Sequence, residues 1–100
     1  MPSKNKKKGG KSPNTSDMSA DSQKNAGNAA FQNKEFEKAI IHYSNAIDLD
    51  NQNPIYYSNR ANVYIELEEF GKAIEDSDTA IQLNPQFTRA YLRKATALFE

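Results

Sequence analysis

The chain has 100 residues, of which 26% are charged, and 13 Lys and Arg side chains balance 13 Asp and Glu side chains. It contains no cysteine, which excludes disulfide bonds and thiolate metal sites. No segment approaches the roughly 20 apolar residues that a membrane-spanning helix needs, and the N-terminus lacks the apolar run of a secretory signal. We therefore expect a soluble, cytoplasmic protein.

The first segment, residues 1–18, is a basic tail. It contains five lysines and one aspartate, and most of its other residues are Gly, Ser, Pro and Asn. Such a composition cannot bury enough apolar surface to offset the entropy of ordering, so the tail is predicted to be disordered. We interpret it as a solubilising leader, with nuclear import or nucleic-acid binding as the alternative. Nucleic acid is the less favoured partner because no aromatic residue is available for base stacking.

From Ala20 onward, apolar residues recur with a period near 3.6, which predicts helices over about 20–33, 36–49, 54–67, 70–83 and 88–100. Asn53 and Pro54 suit the N-cap and the first position of the third helix. The first helix is expected to turn four residues inward, namely Ala26, Ala29, Ala30 and Phe31. The second helix has an apolar stripe that comprises Phe36, Ala39, Ile40, Tyr43, Ala46, Ile47 and Leu49. The last helix should expose an apolar face made of Tyr91, Leu92, Ala95, Leu98 and Phe99.

The helical region repeats itself with a period of 34 residues. A shift by 34 places ten residues on identical ones, namely Asn25, Asn28, Glu35, Phe36, Lys38, Ala39, Ile40, Ala46, Ile47 and Leu49. A third, partial copy repeats Tyr57 as Tyr91 and Ala61 as Ala95. A period of this length at helical spacing is typical of stacked helical hairpins, which bind partners along a concave surface. Small residues at equivalent positions, such as Gly27 and Ala61, should lie where two helices approach closely.

No residue pattern in the chain indicates catalysis, a cofactor or a metal site. His42 lacks partners at ligand spacing, so it is expected to be a partly exposed packing residue. Two acidic groups are interpreted as solvated helix faces, namely Glu66, Glu68 and Glu69, and Glu75, Asp76 and Asp78. We therefore expect a binding protein and no enzymatic activity in this chain.

The pattern resembles the tetratricopeptide repeat family. The resemblance covers residues 19–100 and implies an all-α solenoid of antiparallel hairpins. It places repeat 1 at about 20–53, repeat 2 at about 54–87 and the first helix of a third repeat at about 88–100. The chain departs from the family pattern at three positions, where Asn51 replaces a usual Pro, Ser77 a usual aromatic residue and Gln23 a bulky residue.

The polar residues of the first, third and fifth helices are similar to those of the co-chaperone subfamily. This subfamily includes the Hsp-organising protein, the small glutamine-rich proteins and the tetratricopeptide serine/threonine phosphatase. The resemblance implies a "carboxylate clamp" that grips the C-terminal Glu-Glu-Val-Asp tail of heat-shock chaperones of the seventy- and ninety-kilodalton classes. The five clamp positions in this chain are Lys24, Asn28, Asn59, Arg89 and Arg93. Arg89 stands where Lys is commoner, which keeps the charge but changes the donor geometry.

Elementary geometry agrees with this resemblance, because residues four apart on a helix share a face. Lys24 and Asn28 form one such pair, and Arg89 and Arg93 form another. If the first helices of the repeats line one groove, these pairs flank Asn59 and create an anion site. Two alternatives remain open at this point. One is the targeting domain of a phosphatase whose catalytic part lies beyond residue 100, and the other is a general scaffold for a different acidic peptide.

Overall fold

The computed structural model of the protein describes residues 19–100. Within this range the chain forms five helices and no strand. They are α1 (Ala20–Gln32), α2 (Phe36–Leu49), α3 (Pro54–Glu66), α4 (Phe70–Leu83) and α5 (Thr88–Leu98). The predicted all-α solenoid is confirmed, and α2 and α4 have their predicted bounds. The basic tail that the sequence predicts to be disordered lies outside the described residues.

Helix starts and turns follow local chemistry. The Ser19 hydroxyl accepts a hydrogen bond from the Ser22 N–H at 3.0 Å and caps α1, and the Asn53 side chain caps α3 by accepting from the Ile55 N–H at 3.0 Å. The turns within the two hairpins have the same backbone shape. Lys34 and Glu68, which lie 34 residues apart, both adopt left-handed conformations with φ of 63° and 60°. The sequence repeat is therefore also a repeat of backbone geometry.

Successive helices pack as antiparallel neighbours. Helix α1 packs on α2 to form the first hairpin, and α3 packs on α4 to form the second. The two hairpins meet where α2 packs on α3, and α5 packs on both α4 and α3. Small side chains occupy the closest approaches, and six alanines are completely buried, namely Ala39, Ala46, Ala61, Ala73, Ala80 and Ala90. Gly27 lies against the ring of Tyr43, where a Cβ atom would come within 2.6 Å of a ring carbon. The predicted role of the small residues is confirmed for Gly27, Ala61, Ala46 and Ala80, whereas Ala95, the equivalent of Gly27 and Ala61 on α5, is exposed.

Two residues that the sequence assigns to the inward faces are exposed. Ala29 lies about 200° around α1 from the buried Gly27, so it points away from α2. Leu49 is separated from the buried Ile47 by the same angle in the last turn of α2, and half of its surface is accessible. The predicted apolar face of α5 is present, with Tyr91, Leu92, Ala95, Leu98 and Phe99 all exposed.

The interpretation of Asp76 as part of a solvated face is wrong, because the residue is buried and only 6% exposed. Its carboxylate accepts two hydrogen bonds from Arg60, from Nε at 2.7 Å and from Nη2 at 2.8 Å. The third guanidinium nitrogen donates to the Ser44 hydroxyl at 3.0 Å. The hydrogen bond to Asp76 is also the main cause of the raised pKa of Arg60. A bidentate pair of this kind satisfies the charges where α2, α3 and α4 meet.

Candidate peptide-binding site

Helix α1 contributes Lys24 and Asn28, which lie one turn apart and are both half-buried. The Lys24 Nζ atom is 3.8 Å from Asp21 Oδ1, at the long end of ion-pair distances. Asp21 is held from another direction, because the Tyr56 hydroxyl donates to the same oxygen at 2.8 Å. Burial and this hydrogen bond raise the pKa of Tyr56 to about 12. The lysine ammonium thus retains donors for a ligand.

Helix α3 brings Asn59 next to Asn28. The Asn59 amide donates a long hydrogen bond of 3.4 Å to Asn28 Oδ1. The same oxygen accepts a short hydrogen bond from the Tyr43 hydroxyl of α2. Asn28 and Asn59, which the sequence assigns to the site, are therefore in contact. Tyr43, which the sequence assigns to the core, donates a hydrogen bond to Asn28.

Helix α5 contributes the two arginines, which lie one turn apart. Arg89 is exposed, with its guanidinium 5.7 Å from the centre of the Phe87 ring. Arg93 is half-buried, and its Nε atom has no hydrogen-bond partner. Burial, and then the charge of Arg89, lower the pKa of Arg93. Within residues 19–100, neither arginine has a carboxylate at ion-pair distance.

The three helices that supply these residues are connected through α3. The Asn28–Asn59 contact joins α1 to α3, and α5 packs directly on α3. In the part of the chain that the structure describes, no hydrogen bond joins the arginines of α5 to the amides. The arrangement offers cationic donors from α1 and α5, and amide donors between them. Such an arrangement can bind an anion.

A cavity of about 170 Å³ opens beside the asparagines. Its lining consists of Asn28, Phe31, Gln32, Tyr43, Asn59 and Asn62. Of these residues, the sequence pattern predicts only Asn28 and Asn59 as part of the site. The repeat offered a signal for a third, since Asn62 is the equivalent of Asn28 34 residues later.

His42 is partly exposed, as the sequence predicts, and its Nδ1 atom lies 3.0 Å from Gln23 Oε1. This contact explains how a polar Gln23 fits where a bulky residue is usual. Residues 19–100 contain no cluster of His, Cys, Asp and Glu that could hold a metal ion. None of the five described helices is both long enough and apolar enough to cross a bilayer.

A stack of antiparallel hairpins with donors on its odd-numbered helices defines a repeat-type binding module. Two family models match the chain, one described as "TPR repeat" over residues 27–68 and one as "Tetratricopeptide repeat" over residues 55–87. The second TPR of Spaghetti (RPAP3), solved bound to the HSP90 peptide SRMEEVD, is 30% identical with a TM-score of 0.80. The match covers 85% of this chain and 79% of that domain. The chain belongs to the tetratricopeptide repeat family.

Two curated relatives show the wider context of the domain. The Hsp70-Hsp90 organizing protein of Triticum aestivum is 45% identical over an alignment of 83 positions, which covers 76% of this chain and 14% of the relative. The serine/threonine-protein phosphatase T of Aspergillus oryzae is 42% identical over 71 residues, which are 71% of this chain and 15% of the relative. The chain thus spans about one seventh of the length of these proteins.

Proposed function

We propose that this chain is a co-chaperone module that binds the C-terminal Glu-Glu-Val-Asp tail of cytosolic heat-shock chaperones of the seventy- and ninety-kilodalton classes. The observation that carries the proposal is Arg93. Its guanidinium is half-buried beside Arg89, and its Nε atom is buried without a partner. Burying an unpaired cation costs free energy, so such a group suits an anionic ligand that completes it.

The chemistry of the tail matches the donors. A C-terminal Asp carries two carboxylates, one on the side chain and one on the main chain. The proposed contacts divide between the ammonium of Lys24, the amides of Asn28 and Asn59, and the guanidinium groups of Arg89 and Arg93. Charge-assisted hydrogen bonds to carboxylates are short and strong, and the arginine fork suits a planar carboxylate.

The similar proteins support this assignment. The printed name of the wheat relative refers to both Hsp70 and Hsp90, and the Spaghetti domain was solved with a peptide that ends in Glu-Glu-Val-Asp. The proposal includes a binding role without catalysis in this chain and a cytoplasmic location. The phosphatase relative favours a second candidate, in which the same module is the targeting domain of a longer enzyme. Both candidates use one site and one ligand.

The test is a titration of the 100-residue chain with a Glu-Glu-Val-Asp peptide by calorimetry. Loss of one charge-assisted contact is worth roughly 1.5–3 kcal/mol, so Arg93→Ala or Lys24→Ala should weaken binding about ten- to a hundredfold. Arg89→Lys should have the smallest effect, since it keeps the charge. Lys38→Ala is the matched control, because it removes an exposed cation from α2.

Equal affinities for Arg93→Ala, Lys38→Ala and the unchanged chain would contradict the assignment. Binding should be micromolar, because a flexible peptide must be ordered on the surface. It should also weaken with salt, because charges contribute to the attraction. An affinity that weakens with salt but is equal for the peptide and its C-terminal amide would favour a general scaffold for another acidic peptide.

A further inference from the structure

Tyr43 reaches the binding face because the α1 residue next to its ring, Gly27, has no side chain. Its ring lies directly against Gly27, and a Cβ at that position would be 2.6 Å from Cε1 and 2.8 Å from Cδ1. Ordinary contacts of this kind are 3.4–4 Å. Only glycine therefore lets the ring approach α1 so closely. The hydroxyl at the far end of the ring then meets the next residue along α1, Asn28.

The oxygen of the Asn28 side chain is fully used inside the protein. An amide oxygen has two lone pairs, and here one accepts from the Tyr43 hydroxyl and the other from the Asn59 amide. The Asn28 Nδ2 group has no acceptor among the described residues, and it belongs to the lining of the 170 Å³ cavity. With its oxygen occupied, Asn28 presents its two N–H donors to the groove.

The second repeat provides an internal comparison. Asn62 is the equivalent of Asn28, Ala61 of Gly27, and Ser77 of Tyr43. Ser77 is too short to reach the neighbouring helix surface, and its buried hydroxyl has no hydrogen-bond partner. No described hydroxyl bonds to the side chain of Asn62. Glycine and tyrosine therefore occur together where the asparagine belongs to the proposed clamp, and both are absent where it does not.

We infer that Tyr43 is a positioning residue for peptide binding, which fixes the side-chain amide of Asn28 so that its N–H groups face the ligand carboxylate. The inference rests on the proposed function and extends it to a residue of α2 that is not one of the five proposed clamp residues. Burial raises the pKa of Tyr43 to about 12, so the hydroxyl keeps its proton and remains a donor throughout the neutral range. An amide fixed in this orientation favours an anionic ligand, because the flipped amide would place the Asn28 side-chain oxygen against the oxygens of the ligand carboxylate.

The experiment uses the 100-residue chain and its Tyr43→Phe variant, which keeps the ring against Gly27 and removes only the hydroxyl. The first measurement is the NMR order parameter of the Asn28 side-chain N–H groups in the free protein. We expect it to fall in Tyr43→Phe towards the value of Asn62, whose own order parameter should not change. Tyr57→Phe is the control, because it removes an exposed hydroxyl that bonds to the Asn51 carbonyl in a turn.

The second measurement is the affinity for the Glu-Glu-Val-Asp peptide and for its C-terminal amide. Tyr43→Phe should weaken binding of the acid peptide about three- to tenfold, the usual net worth of one hydrogen bond. It should have no further effect when Asn28 is already Ala, because the hydroxyl acts through that side chain. Tyr57→Phe should bind like the unchanged chain.

The outcomes separate the inference from the function on which it rests. An unchanged Asn28 order parameter, or an equal loss of affinity in the Asn28→Ala background, would overturn the positioning role alone. Equal affinity of the unchanged chain for the acid and amide peptides would instead overturn the proposed function and the role of Asn28 with it. A fall in the order parameter together with a loss of affinity that depends on Asn28 would support the inference.

Discussion

Adding one methyl group at Gly27 tests the packing that brings the helices of the first hairpin together. In Gly27→Ala the new Cβ would lie 2.6 Å from a ring carbon of Tyr43, about 1 Å inside ordinary contact distance. The ring cannot easily move aside, because Tyr43 is 3% exposed and belongs to a core cluster with Ala30, Ala39 and Val63. The hairpin must therefore open or the ring must leave its rotamer.

Two effects of opposite sign set the size of the change. Overpacking a close-packed core costs about 1–3 kcal/mol. Replacing glycine with alanine inside a helix returns up to about 1 kcal/mol through backbone entropy. The net destabilisation should be about 1–2 kcal/mol. In a domain of this size that lowers the midpoint of thermal unfolding by roughly 4–16 °C.

Gly71 supplies the matched control, because nothing lies within 4 Å of the position that its Cβ would occupy. Gly71→Ala makes the same chemical change in the first turn of α4 without a clash. It should stabilise the chain by about 0.5–1 kcal/mol, since only the entropy term remains. Thermal unfolding followed by circular dichroism measures both variants. If the two variants raised the melting midpoint equally, the reasoning about Gly27 would be refuted.

Two further predictions concern the core. Asp76→Ala leaves the partly buried Arg60 guanidinium without its carboxylate and should lower the free energy of unfolding, measured by chemical denaturation, by roughly 2–4 kcal/mol. Asp78→Ala, at an exposed ion pair, should lower it by less than about 1 kcal/mol. Similar losses in the two variants would contradict the structural role of the Arg60–Asp76 pair. The pKa values of Tyr43 and Tyr56 are raised from 10.0 to about 12 in the folded state, so their contribution to stability is complete below pH 10 and is lost as pH rises from 10 to 12. Unfolding measured across that range should show the loss, and a flat profile would contradict it.

The sequence predicts the helices well because two independent periods coincide. The 3.6-residue pattern identifies each helix, and the 34-residue repeat checks each assignment against its copy. The errors at Ala29 and Leu49 arise because an alanine, or a leucine in a last helical turn, does not itself reveal which side of the helix faces a neighbour. Their exposure is set by the angle at which two helices pack, which is a tertiary property.

Asp76 illustrates a different limit. In the sequence it stands between Glu75 and Asp78, so a run of acids resembles a solvated face. Its partner Arg60 is 16 residues away on another helix, and only the crossing of α3 and α4 brings them together. The five proposed clamp residues could be proposed from the sequence, because they stand at the positions that the resemblance to the co-chaperone subfamily implies. The hydrogen bond from Tyr43 to Asn28 could not be predicted from the sequence, because it depends on the distance between α1 and α2 in the hairpin.

The most direct test of the central claim compares one peptide with two C-termini. A peptide ending in Glu-Glu-Val-Asp and its C-terminal amide differ only in the main-chain carboxylate that Lys24, the asparagines and the arginines of α5 are proposed to bind. Calorimetric titration of the 100-residue chain should give micromolar affinity for the acid and at least tenfold weaker binding for the amide, since one charge-assisted contact is worth roughly that much. Equal affinity for the two peptides would contradict the account.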